Sequence, residues 1–196
     1  EESHKYSHFA EKYSANIKYG DELLGLSSNM KLFVPESVAE HMIRLGEETT
    51  EAMTMVKSAE IGCMHIEAAK FQSAVAAQVA HCRAFIYTLT PQVFITEGSK
   101  LYQDVFKLHH ELGTPPHTLD DFVRLMERFV WAETDRPRLT KQYEYIMDVD
   151  DLIEQFVITL SDRKAVEQKA SLKTVWSQYT EVMASFHSGI DEHTKN

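Results

Sequence analysis

Apolar side chains return along almost the whole chain at intervals of three and four, the spacing that lines one side of an α-helix. A first run reads Phe9, Tyr13, Ile17 and Leu24, interrupted near Gly20 and Gly25, and a loop through Ser27-Ser28-Asn29 leads to Pro35. From Pro35 a second run sets Val38, Met42, Leu45, Thr49, Ala52, Val56 and Ala59 on one seam, with Gly62 as its stop. A third seam, Phe71, Val75, Val79, Cys82, Ile86 and Leu89, is predicted to end at Pro91, because proline has no N–H to donate and clashes with the preceding turn.

After Gly98-Ser99, the positions Leu101, Val105, Leu108 and Leu112 predict a shorter helix closed by Gly113 and Pro115-Pro116. Thr118 then stands where an N-cap belongs, and Asp120 and Asp121 fall in the first turn, where exposed N–H groups favour carboxylates. The face predicted for that helix is Leu119, Phe122, Met126 and Phe129, with Pro137 interrupting or restarting it. The seam continues through Leu139, Tyr143, Ile146, Ile153, Phe156 and Leu160, with a polar gap over 148–151 that reads as solvated. A last helix carries Leu172, Val175, Tyr179, Val182, Phe186 and Ile190.

No alternating pattern of useful length competes with these runs, so the expected fold class is all-α, with consecutive long helices packed as antiparallel hairpins or an elongated helical bundle. The expected organisation is a helical hairpin over 1–62 and a bundle segment over 63–196, without a separate catalytic domain. The start at Glu1-Glu2-Ser3 reads as a segment taken from a larger protein.

Composition narrows the function classes. With 43% hydrophobic and 26% charged residues the chain has ordinary globular content, and its longest apolar stretches fall far short of the roughly 20 residues that cross a bilayer. A net charge of −10 opposes binding to nucleic acid or anionic lipid. The two cysteines, Cys63 and Cys82, lack the spacing of a disulfide framework or thiolate metal site, which points to a reducing, cytoplasmic setting.

Each chemically suggestive cluster has a plainer reading. Gly20 to Gly25 has phosphate-loop spacing, but Leu26 stands where that loop needs lysine, so both glycines read as helix ends. His4 and His8, with Glu11 near, could hold zinc only with a further ligand, and His109-His110-Glu111 fits better at a helix C-terminus. His65-Ile66-Glu67 opens a zinc-deaminase signature whose cysteine half is missing. Asp148 to Asp151 lacks the glycine and glutamate of a calcium loop. Met42 and Met126 read as core filler, and Trp176 and Tyr179 as core aromatics. No catalytic, cofactor-binding or metal residue is assigned, no cofactor is expected, and the chain is expected not to be an enzyme.

From His65 onward, the order of features resembles the tail of dynein heavy chains, just ahead of the linker, with axonemal members most similar. The likeness rests on the helices Lys70 to His81 and Leu101 to Leu112, on the break and capped helix from Pro115 to Phe122, and on Arg138 to Phe156 and Leu172 to Ile190 with Val175-Trp176-Ser177-Gln178-Tyr179. It covers about two-thirds of the chain and is one of pattern and order. The resemblance implies a non-catalytic, force-transmitting helical stack whose parent chain is an ATP-driven microtubule motor. It implies protein partners, namely dynein intermediate or light chains and neighbouring heavy chains, with microtubules met only through the parent motor and a place in the ciliary axoneme. The competing expectation is a free-standing helical interaction or sensor domain.

Overall fold

A computed structural model describes residues 7, 11, 14, 15, 17–22, 25, 32–54, 58–61, 64–160 and 163–194. It is all-α apart from one short hairpin: α1 (Pro35–Thr54), β1 (Ser58–Ile61), β2 (Met64–Glu67), α2 (Ala68–Gly113), α3 (Leu119–Gln155) and α4 (Arg163–Thr194). The chain divides into two compact units, Glu1–Thr90 and Pro91–Asn196. The boundary expected at 62 falls on residues outside the described ones.

In the first unit α1 opens on Pro35, whose fixed φ suits a first helical position and whose missing N–H costs nothing there. It packs antiparallel to the start of α2: the Gln72 side-chain amide donates to the Ala52 carbonyl at one end, and Gly46 leaves room for Arg83 towards the other, where an added Cβ would sit 3.0 Å from its Nη2. Val38, Met42, Leu45 and Ala52 of α1 are buried, as are Val75, Val79, Cys82, Ile86 and Leu89 of α2, as the three-four spacing predicts at these positions. The helical residues 17–22 add Tyr19, stacked on His41 at 3.9 Å. Gly20 and Gly25 are themselves helical, and Gly20 lies against Gln78 and Cys82 rather than ending a helix. Phe9, Tyr13 and Leu24 lie outside the described residues.

Three expected boundaries are corrected. The second seam stops at Thr54, and Ala59 lies instead in β1, opposite Ile66 of an antiparallel β2. Its last turns hold Thr49, Thr50 and Thr54, whose hydroxyls turn back onto helix carbonyls, a competition that weakens helix. The third helix does not end at Pro91, because α2 runs 46 residues through both Pro91 and Gly98-Ser99. Likewise α3 runs 37 residues through Pro137.

Within the second unit, α2 from Pro91, α3 and α4 form a three-helix bundle. Asp104 faces Arg138 and Glu111 faces Arg128, so α2 and α3 are antiparallel. Tyr143 stacks on Trp176 at 4.4 Å and Phe129 on Phe186 at 5.1 Å, so α3 and α4 are antiparallel too. Gly98 explains itself here: the Gln168 amide donates to the Ile95 carbonyl at 3.0 Å, and a Cβ on Gly98 would lie 2.7 Å from that amide nitrogen. The core contains Val93, Phe94, Leu101, Val105, Ala132, Leu139, Ile146, Val149, Leu172, Tyr179 and Met183.

Both ends of α3 are defined by their backbone groups. Thr118 and Asp121 form a reciprocal capping box, each side chain accepting from the other's backbone N–H at 3.1 Å. The Thr118 bonds hold the Asp121 carboxyl below its ordinary value. At the far end the helix stops at Gln155, so the expected continuation of the seam through Phe156 and Leu160 is interrupted. Val157 N–H bonds to the Glu154 carbonyl and Ile158 N–H to the Ile153 carbonyl, the paired bonds of a Schellman stop. That motif requires left-handed backbone, and Val157 supplies it at φ 52 with its side chain 84% exposed. A β-branched residue is strained there.

Two substitutions test this architecture. Val79→Asp places an unpaired charge among the buried seam of the first unit and should cost on the order of 4 kcal/mol; an unchanged denaturant midpoint would contradict the seam. Val157→Gly loses almost no contact and relieves the positive φ, so it should stabilise the chain by about 1 kcal/mol in chemical denaturation.

Candidate interaction surface

The positions examined for chemistry disperse. His4 and His8 lie outside the described residues, as does Cys63, while Cys82 is buried with the Gln78 amide 3.9 Å from its sulfur. His65 to Glu67 belong to strand β2 rather than to a helix. His109-His110-Glu111 does occupy the last turns of α2, where the Thr114 hydroxyl donates to the His110 carbonyl. Glu111 is committed to Arg128 at 2.8 Å. Among the described residues no group of three or more His, Cys, Asp or Glu side chains is placed to hold a metal ion, and no helix is long and apolar enough to cross a membrane.

The polar gap at 148–151 is a correction. Asp148 and Asp151 are exposed as expected, but Asp150 is buried at 2% exposure. The helical pitch places it on the same side as Ile146, Val149 and Ile153, facing α4. Lys169 approaches its Oδ1 at 2.7 Å and Lys173 its Oδ2 at 3.3 Å, while Lys169 also reaches Glu154 at 2.6 Å. Burial disfavours the Lys169 charge, but the bonds to Asp150 and Glu154 outweigh it and raise the ammonium above its ordinary value. The Lys169 bond also lowers the Glu154 carboxyl. Sequence periodicity could have flagged Asp150, since it falls on a seam position beside Ile146 and Ile153, and lysines at 169 and 173 sit one turn apart on the facing helix.

A second polar cluster surrounds Pro137. Arg138 grips Asp135 with two bonds, Nε to Oδ1 at 2.8 Å and Nη2 to Oδ2 at 2.7 Å, and reaches Asp104 of α2 and Gln142. Its hydrogen bond lowers the Asp135 carboxyl. Asp104, Asp135 and Arg138 form one end of a groove of about 300 Å³ between α2 and α3, whose other end is Glu111, Arg128 and Trp131. Arg128 lies 5.7 Å from the Trp131 ring. Every cation and carboxylate of this groove except Lys107, which is 4.0 Å from Glu111, is held at close range by a partner from within the bundle. Its charges stabilise the α2–α3 pairing and leave little to offer a ligand.

The feature left open is apolar. Of the face predicted for α3, only Phe129 is buried; Leu119 is 78% exposed, Phe122 49%, and Met126 is half-buried. With Val123 and Val130, also exposed, they make a stripe at positions 119, 123, 126 and 130, a four-three-four repeat. The core side of the same helix is carried by Phe129, Ala132 and Leu139, so the helix is apolar on two sides over its first three turns. Monomeric surfaces rarely carry such stripes without a use. Trp176 and Tyr179, by contrast, belong to the bundle: Tyr179 is buried and Trp176 stacks on Tyr143. No family model and no curated protein matches this chain.

Asp150 and Lys169 separate by mutation. Lys169→Met leaves a buried carboxylate with one exposed lysine and should cost about 2–4 kcal/mol, whereas Asp150→Asn frees two lysines that can turn to water and should cost about 1–2 kcal/mol. Because the Lys169 value is raised on folding, its stabilisation is complete below its ordinary value of 10.5 and is lost as pH climbs beyond it. A denaturant midpoint that falls in that alkaline range for the wild type, and less for Lys169→Met, checks the assignment.

Proposed function

We propose that this chain is a non-catalytic, load-bearing helical segment that offers a helix face to other proteins, and that its parent is a dynein heavy chain of axonemal type, in which it transmits force along the tail. The observation that supports the mechanical part is the way three helices are tied along their length. Between Arg128 and Asp150, α3 is fastened by the Phe129–Phe186 stack, the Arg128–Glu111 and Arg138–Asp104 pairs, the Tyr143–Trp176 stack and the Asp150–Lys169 pair. A load drawn along α3 is thereby shared with both neighbours rather than concentrated at one contact. Among the described residues the charged groups of the second unit around Arg138 and Asp150 are paired with one another across the helices, which supports a structural role for that polar network.

The motor assignment rests on the resemblance in order of helices, proline break and capped helix described above. On this reading the ATP-hydrolysing and microtubule-binding parts belong to other regions of the parent, and the partners are dynein intermediate or light chains and neighbouring heavy chains in the axoneme. A free-standing helical interaction domain is the second reading, and the exposed stripe on α3 favours it equally, since a docking face serves either.

The two separate by the size of the natural polypeptide. An antibody raised against this segment should detect, on denaturing gels, a very large band confined to lysates of ciliated cells. A band near the 22.5 kDa of the chain itself would remove the motor reading and leave the interaction domain.

A further inference from the structure

We infer that the outward face of the first three turns of α3 docks an amphipathic helix from another protein, one whose apolar seam is bordered by lysine or arginine. The seam on this side is Leu119, Val123, Met126 and Val130, repeating as the a and d positions of a helix pair do. It is bounded in both directions. Beyond Val130 the same outward line passes to Thr134, Pro137 and Lys141, and at its start Thr118 and Pro116 end the helix. The site is therefore about three turns long, which suits a short helix laid along it rather than an extended coiled coil.

Charge identifies the occupant. One border of the stripe carries Asp120 and Glu127, two turns apart, where flanking residues of a helix pair meet their counterparts. Neither forms an ion pair with a described residue. Of the arginines on this helix, Arg128 turns to Glu111 and the Trp131 ring, while Arg124, one turn from both Asp120 and Glu127, forms no ion pair with either and is a single cation beside two carboxylates. The opposite border is Phe122, which widens the apolar strip.

A second copy of this chain fits badly. In an antiparallel pair Asp120 would oppose Glu127 of the other copy twice over, and in a parallel pair these carboxylates would face Phe122 rather than a cation of the other copy. Basic residues on the incoming helix satisfy both carboxylates and use the same apolar seam, and their attraction also sets which way round the helix lies. This inference stands on α3 alone and holds whichever parent the chain has.

The test uses two synthetic helical peptides with an identical leucine seam, one flanked by lysines and the other by glutamates, titrated against the whole chain by fluorescence anisotropy. The lysine-flanked peptide should bind and the glutamate-flanked one should not. Val123→Asp, at an exposed position that leaves the bundle's thermal melt unchanged, should weaken binding by roughly tenfold or more. Glu127→Lys should weaken the lysine-flanked peptide and improve the glutamate-flanked one. Binding that ignores Val123→Asp is general attraction to an acidic chain and overturns the inference, as does failure of both peptides. A dimer in sedimentation that Val123→Asp disperses would make the occupant a second copy, and overturns it as well.

Discussion

The structure depends on interhelical burial being strong enough to carry helices through proline. A proline inside a helix costs about 3 kcal/mol, from a lost hydrogen bond and a clash with the turn before it. Around Pro91 the buried residues are Leu89, Thr90, Val93 and Phe94, and around Pro137 they are Ala132 and Leu139. Each fully buried Leu, Val or Phe is worth about 1.5–3 kcal/mol, so Leu89, Val93 and Phe94 together outweigh Pro91, while at Pro137 Leu139 alone is comparable to the cost and Ala132 adds to it, so the helix continues at both. At Pro137 a polar contact assists as well, with Arg138 clamping Asp135 across it.

That balance explains where the sequence could be read and where it could not. The seams were legible because burial follows period alone: Val38 to Ala52 and Val75 to Leu89 are buried as the three-four spacing requires, and Thr118 caps α3 as its chemistry demands. Helix ends that follow a local signal were legible too, as at Pro35 and Gly113. Ends set against the local signal were not. Pro91 and Pro137 look like stops and are overridden by distant packing, while the true stop after Gln155 has no glycine and uses Val157 in a conformation no sequence rule assigns to valine. The hairpin at Ser58–Glu67 was hidden for a related reason, since Val56 and Ala59 happen to fall in phase with the helix before them.

Charge was misread where it was judged by residue type rather than by phase. Four residues at 148–151, three of them aspartates, look like solvent, yet helical pitch turns one of them inward, and Asp150 is tolerable there only because two lysines come from α4 to meet it. Such a pair adds less to stability than an apolar contact of equal size would, but it penalises any sliding of α3 along α4 that separates the charges. Register is thus held by polar contacts at Asp150, Arg138 and Arg128, while affinity between helices comes from the apolar core.

The same division of labour accounts for the outward face of α3. Its second half is polar outside, with Arg138, Lys141 and Glu144 in water, as a helix packed on one side should be. Its first half is apolar outside as well as inside, and propensity does not require that: Val123 and Val130 are poor helix formers, and alanine or lysine would serve an exposed helical position better. Residues that help neither the helix nor its core, yet repeat at the spacing by which helices pack, are best explained by a surface that is covered when the chain is at work. The carboxylates of Asp120 and Glu127 along one border then fix what can cover it, because burying them beside another acid or against an aromatic ring costs more than the apolar stripe returns.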